Sequence, residues 1–302
     1  MIPAPNPSRV TAGRPDRSCG PMDRPWHSPV AVDPGDEEPC RRRVPIIVGT
    51  QERGRGMSID GFVLVHGGHH GAWCWDAVRP LLKWSSVAVD LPGRGARPSP
   101  GRPVTVEACV AAVIEDADAA GLQRFVLVGH SLGGITITEV ANRHTDRVVH
   151  LVYLAALALP PGRTVFDLYF PDGGAPALDD PGGVIPLSDH GTVDLLNADD
   201  LSAEVFAAAR ARCVPEPVGL FTATVSGYGS GVPATYVRCS RDGAITAEMT
   251  DEMLQHLGPA ALHQFDADHE LMLSHPELVG GLLNDVADRT ARTGRARSAG
   301  PP

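Results

Sequence analysis

Phe125-Val126-Leu127-Val128-Gly129-His130-Ser131-Leu132-Gly133-Gly134 is the stretch that decides the fold. Its four leading apolar residues read as a buried strand, and the residues that follow, through Ala141, read as a helix. Between them lies the pattern G-x-S-x-G. Glycines two residues either side of Ser131 allow a strained turn and a close approach of strand to helix, which lifts the serine hydroxyl to the end of the sheet. Ser131 is the candidate nucleophile.

A serine hydroxyl attacks poorly at neutral pH, so it needs a base and an acid that orients the base. On a strand, elbow and helix of this kind the expected chain order is Ser, then Asp or Glu, then His. His269 follows the last strand pattern, Ala261 to Phe265, whereas His263 falls inside that strand and His256 and His275 lie on flanking helices. The acid should end the preceding strand, Ala234 to Cys239, which selects Asp242 three residues past Cys239. Asp268 cannot easily orient the ring of its immediate neighbour, and Asp266 suits its own loop backbone. A tetrahedral intermediate also needs backbone N–H donors. One is expected from Leu132 at the start of the helix, the other from Gly68 in the first loop, His66-Gly67-Gly68-His69. His69, Trp73 and His130 are candidates for the pocket wall.

Outward from this core the chain alternates strand and helix. Phe62 to Val65 reads as a strand, Trp75 to Leu82 as a helix, and Ser86 to Val89 as a strand. Val104 to Ala120 is an Ala-rich amphipathic helix, and Val148 to Leu154 is a further strand. That order predicts an α/β fold, a mostly parallel doubly wound sheet covered on both faces. From about 156 to 228 the alternation breaks into Pro- and Gly-rich turns around two short helices, Thr164 to Phe170 and Leu201 to Cys213. This stretch reads as an inserted helical cap, and its Phe166, Phe170 and Phe206 are further pocket candidates. The sheet pattern resumes with Ala234 to Cys239, a helix over Ala247 to Leu257 and the strand Ala261 to Phe265, and a last helix, Glu277 to Ala287, closes the domain.

Composition narrows the class further. The 302 residues are 43% hydrophobic with a net charge of −10, which suits a globular chain. The charge is uneven. Residues 1–56 hold 10 of the 28 Pro and carry +2, whereas the middle of the chain carries −15. Residues 1–56 show no apolar periodicity and read as a disordered extension, the alternative being an upstream extension of the reading frame before Met57, and 288–302 read as a disordered tail. The domain is thus expected over 57–287. The acidic total argues against nucleic acid as a partner. The absence of a long apolar run or signal-like h-region argues against a membrane and for the cytoplasm. Six Cys without a CxxC pair read as buried thiols, and no helix-spaced ligand pair implies a metal. No cofactor is expected, and the chain is taken as a monomer or a homodimer.

The motifs resemble those of the α/β-hydrolase fold, in the branch of plant methyl-ester esterases and hydroxynitrile lyases with their bacterial esterase relatives. The similar segments are Phe62 to Trp75 (FVLVHGGHHGAWCW), Val87 to Gly95, Val126 to Gly134, Val152 to Ala156 and Asp266 to Pro276 (DADHELMLSHP). The resemblance implies a serine esterase acting through Ser131, His269 and Asp242 on a small or mid-sized hydrophobic ester. The lyases of that branch have Thr after the first-loop His and Lys after the catalytic His, the latter to stabilise departing cyanide. This chain has Gly67 and Glu270 there, and a carboxylate opposes a developing anion. The alternatives on the same fold are a thioesterase, lactonase or cyclase in bacterial secondary metabolism and, further off, a non-catalytic ligand-binding receptor.

Overall fold

The computed structural model describes residues 59–99, 103–173, 182–187, 200–228, 231–258 and 260–298. The chain opens with β1 (Gly61–Val65) and β2 (Ser85–Val89), followed by α1 (Val106–Ala119), β3 (Phe125–Ser131), α2 (Gly133–Arg143) and β4 (Val148–Ala156). Next come α3 (Val165–Tyr169), β5 (Val184–Ile185), α4 (Ala203–Arg210), β6 (Glu216–Pro217) and α5 (Gly219–Thr222). The chain closes with β7 (Ala234–Cys239), α6 (Ala247–His256), β8 (Ala260–Phe265), α7 (Leu271–Ser274) and α8 (Pro276–Ser298). Six strands form one sheet in the order β2-β1-β3-β4-β7-β8, every adjacent pair parallel.

The strand residues explain why both faces are covered. In β1, Val63 and Val65 pack into a cluster with Val110 and Val113 of α1, Ile135 and Ile137 of α2 and Met253 of α6. Phe62 and Leu64 point the other way, into a second cluster with Trp75, Val78 and the α8 residues Val279, Leu283 and Val286. A strand buried on both faces reads as a continuous apolar run because the period-2 alternation serves two cores. Each buried Val, Leu or Phe contributes about 1.5–3 kcal/mol, so these runs outweigh the modest helix propensity of any one covering segment.

Two sequence expectations change. Trp75 to Leu82 is not an α-helix: the segment forms two short 3-10 turns, Ala72–Trp75 and Arg79–Leu81. Pro80 sits within the second turn and offers no N–H to an i→i−4 bond, while Trp75 and Val78 still bury their side chains. The last helix does not stop at Ala287, so residues 288–298 are helical rather than a disordered tail. Its apolar stripe continues, with Ala287 and Thr290 buried and Ala291 packed against the second cluster, and the Thr290 hydroxyl donates to the Val286 carbonyl. The proposed extension over 1–56 lies outside the described residues.

In the cap region, β5 and β6 pair antiparallel, and α3 opens with a capping box in which Thr164 and Asp167 satisfy each other's backbone. Cys74, Cys109, Cys213 and Cys239 are buried free thiols, as the sequence suggested. Among the described residues, no helix is long and apolar enough to cross a membrane.

Candidate active site

The ends of β1, β3, β7 and β8 meet at one place, and each delivers a polar side chain to it. Ser131 ends β3 with a φ of 50°, a left-handed backbone that costs a non-glycine residue about 1–3 kcal/mol. The surroundings hold it there. The Ser131 carbonyl accepts from the Leu157 N–H at 2.9 Å, and β4 bulges opposite it, with Ala155 also at positive φ. A Cβ on Gly133 would stand 2.5 Å from the His66 carbonyl oxygen, so only glycine lets the start of α2 come this close to the first loop.

His269 follows β8, and its Nε2 lies 2.9 Å from Ser131 Oγ. Its Nδ1 lies 2.8 Å from Asp242 Oδ2. The other carboxylate oxygen of Asp242 accepts the backbone N–H groups of Ala244 and Ile245, both at 2.8 Å, which fixes its orientation. Burial alone would depress the His269 imidazole. The charge and hydrogen bond of Asp242, with the charge of Glu270 added, outweigh burial and hold it above its ordinary value. The arrangement leaves Nε2 free to take a proton from the hydroxyl and gives the resulting imidazolium a counter-charge.

The competing acids are occupied elsewhere. Asp266 accepts from the side chains of Arg241 and Ser240 rather than from its own loop backbone. Arg241 also pairs with Asp268 and Asp200, and the Asp268 N–H donates to Asp200. This network joins the loop that carries Asp242 to the loop that carries His269.

The first loop is held one peptide unit at a time. His66 Nε2 accepts from the Leu91 N–H at 3.2 Å, so its proton sits on Nδ1 and is donated to the Gly67 carbonyl at 2.7 Å. The same peptide unit carries the Gly68 N–H. Burial and Arg94 lower the His66 pKa well below its ordinary value, which keeps that neutral tautomer. The Gly68 carbonyl faces His70 Nδ1 at 2.6 Å, and the next N–H, of His69, donates to Glu216 Oε2 at 2.9 Å. Glu216 is fully buried on β6 of the cap and pairs with the equally buried Arg94 at 2.9 Å. Burial nonetheless pushes the Glu216 pKa up. Gly68 and Leu132 adjoin, since a Cβ on Gly68 would lie 3.6 Å from Leu132 Cδ2.

The pocket candidates separate into two groups. His130 is buried against His269, ring centroids 4.7 Å apart, and its Nε2 faces the His269 carbonyl; burial lowers its pKa to about 3. Trp73 stacks on His70 at 5.0 Å and carries the Arg212 guanidinium on its ring, and His69 Nδ1 donates to the Val214 carbonyl. These three stand by the first loop. Phe166 packs against Phe170 and Phe221 inside the cap, and Phe206 packs against the cluster that contains Trp73 and Ala209.

His130, His269 and Glu270 could bring three ligand atoms within 4.8 Å of one another. Both His269 nitrogens already face Asp242 and Ser131, so His269 has no ring nitrogen to spare for a cation. Sequence reading missed the roles of His66, Arg94, Glu216 and Arg241. Only His66, in its HG turn, carried a local signal.

Residues 62–280 match the sequence profile described as the alpha/beta hydrolase family. An alpha-hydroxynitrile lyase from Arabidopsis thaliana is 30% identical over 259 residues, covering 75% of this chain and 96% of that protein. Methylesterase 9 from Arabidopsis thaliana is 27% identical over 252 residues, covering 76% of this chain and 98% of that protein. Among solved structures, a pyrethroid hydrolase from Sphingobium faniae JZ-2 superposes with a TM-score of 0.65 at 25% identity, covering 77% of this chain and 98% of that one.

Proposed function

The chain belongs to the alpha/beta hydrolase family, and from that premise we propose that it is a serine esterase that cleaves a small or mid-sized hydrophobic carboxylic ester. The observation that carries this reading is the unbroken relay from Ser131 Oγ through His269 to Asp242, at 2.9 and 2.8 Å. His269 takes the serine proton as Oγ attacks the ester carbonyl. The backbone N–H groups of Gly68 and Leu132 receive the oxyanion, and His269 returns the proton to the departing alcohol. Water then enters by the same general-base route and cleaves the acyl-enzyme. Beyond the ester and water these steps call on no cofactor, and we place the reaction in the cytoplasm.

A methylesterase and a pyrethroid hydrolase among the similar proteins support this chemistry. A hydroxynitrile lyase, at 30% identity, is no less similar than either, so the site must decide between the two activities. A Cβ on Gly67 would stand 2.8 Å from Ser131 Cβ and 2.9 Å from His130 Nδ1, which leaves no room for the lyase threonine. Glu270, in the place of the lyase lysine, is a buried carboxylate whose pKa is lowered to about 2: burial opposes ionisation, and the charge of His70 outweighs it.

The test is turnover of p-nitrophenyl esters of short and medium acyl chains by the wild type and Ser131→Ala, together with fluorophosphonate labelling. Ester cleavage and labelling are expected in the wild type and not in the variant. A folded wild type that neither labels nor cleaves any ester of the series overturns the reading. Cyanide release from a cyanohydrin would return the lyase assignment.

A further inference from the structure

Resting on that esterase reading, we propose that Glu270 and His70 form a buried ion pair that acts as a positioning device, holding the oxyanion loop and biasing the base at once. Glu270 is 1% exposed and His70 2%, and Glu270 Oε2 lies 3.3 Å from His70 Nε2. Neither atom makes a hydrogen bond to any other described group. A carboxylate so deeply buried requires a counter-charge.

Three imidazoles surround Glu270, and their hydrogen bonds say which one carries the charge. His269 gives Nδ1 to Asp242 and Nε2 to the Ser131 hydroxyl, so it rests as the neutral Nδ1–H tautomer. His130 donates Nε2–H to the His269 carbonyl and has no partner on Nδ1 among the described residues, so it too is neutral. His70 alone has acceptors on both sides: the Gly68 carbonyl, which can only accept, at 2.6 Å from Nδ1, and the carboxylate beyond Nε2. His70 is therefore the imidazolium. Its pKa is raised although burial opposes it, because the Glu270 charge and the contacts to Glu270 and Gly68 favour the proton.

This pair joins two halves of the site. Through Nδ1–H, His70 holds the Gly68 carbonyl, adjacent to the N–H that receives the oxyanion. A Glu270 carboxylate oxygen also lies within 4.8 Å of a His269 ring nitrogen, close enough for its charge to make His269 a stronger base. The other groups around His269 are His130 and Ser131 from β3, His70 from the first loop, Asp242 from the loop after β7, and Asp268 on its own loop. Of these, Asp242 and Glu270 supply the negative charge that raises its pKa.

Replacing Glu270 by Gln keeps the shape and removes the charge. The acid limb of the kcat/KM profile should then move down by about one unit, the size of shift that a nearby opposite charge supports. A loosened oxyanion loop should lower kcat about tenfold, less than loss of a whole donor. KM should hold, which separates positioning from substrate binding, and Glu270→Asp should restore the pH limb in part. A folded Glu270→Gln enzyme with wild-type kcat and acid limb overturns the proposal. Imidazole ¹⁵N shifts of the wild type test it without turnover: His70 protonated on both nitrogens at pH 7 supports it, and a neutral His70 overturns it. Absence of fluorophosphonate labelling in the wild type would instead sink the esterase reading, whatever state His70 shows.

Discussion

Asp242 faces His269 with one carboxylate oxygen, 2.8 Å from Nδ1, while its other oxygen closes its own loop by accepting from Ala244 and Ile245. The residue therefore has an electrostatic task and a structural one, and substitutions should separate them. An Asn can keep the loop contacts through its carbonyl oxygen but brings a neutral group to the imidazole. Asp242→Asn should fold normally and lose about 10⁴-fold in kcat. Asp242→Ala should also leave two backbone donors without their acceptor and lose about 1–3 kcal/mol of stability. Denaturant midpoints and ester kinetics of the two variants check this, and wild-type turnover in Asp242→Asn would remove Asp242 from the relay.

The same contacts set the pH dependence. His269 must be neutral to accept the serine proton, and its pKa is raised above the ordinary 6.5. The kcat/KM profile should therefore rise with pH through an inflection above 6.5. For stability the sign reverses. The fold favours protonated His269, a contribution that is fully present below 6.5 and lost as pH rises through the raised value. Glu270 behaves oppositely: its pKa falls from 4.5 to about 2, so its contribution is present above 4.5 and lost as pH falls toward 2. A pH–rate profile and urea midpoints across pH 2 to 9 measure both, and an inflection below 6.5 would contradict the first.

The strands, the elbow and the order Ser131, Asp242, His269 were legible because each rests on a local signal: an apolar run, a glycine spacing, a polar residue at a strand end. The helix assigned to Trp75 to Leu82 failed because its apolar spacing fits two 3-10 turns equally well, and Pro80 decides against the longer helix. The second support of the site was not legible, because Arg94 and Glu216 are far apart in the chain and neither belongs to a local pattern. In the sequence Glu270 reads only as a charge beside the leaving group. Its pairing with His70 depends on a loop-to-loop contact that no spacing encodes.

The Arg94–Glu216 pair offers a test of how the cap supports the first loop. Both side chains are buried, and Glu216 also receives the His69 N–H. Removing one partner strands the other, so Glu216→Ala should cost about 3–5 kcal/mol. Replacing both with apolar residues, as in Arg94→Met with Glu216→Leu, should recover much of that stability. It should not recover turnover, because the His69 N–H still lacks its acceptor. Thermal melts and kcat of the single and double variants form the cycle. A double variant as active as the wild type would mean that Glu216 does not hold the loop.

Adjacent glycines in the first loop should respond very differently to a methyl group. At Gly67 the new carbon would meet Ser131 Cβ at 2.8 Å and His130 Nδ1 at 2.9 Å, both parts of the packed site. At Gly68 the nearest atom is Leu132 Cδ2 at 3.6 Å, an ordinary contact with the end of a side chain. Gly67→Ala should therefore destabilise the fold by about 1–3 kcal/mol, as overpacking does. It should also push Ser131 off line with His269, and misplacement on the order of 1 Å can cost about 10²-fold in kcat. Gly68→Ala should melt within a few degrees of the wild type. Gly67→Thr should lose ester turnover without gaining cyanohydrin cleavage, because Glu270 remains in place of a cation. Melting temperatures and ester kinetics of the two alanine variants decide the case, and equal behaviour at both positions would show that Gly67 is not the tight point of the loop.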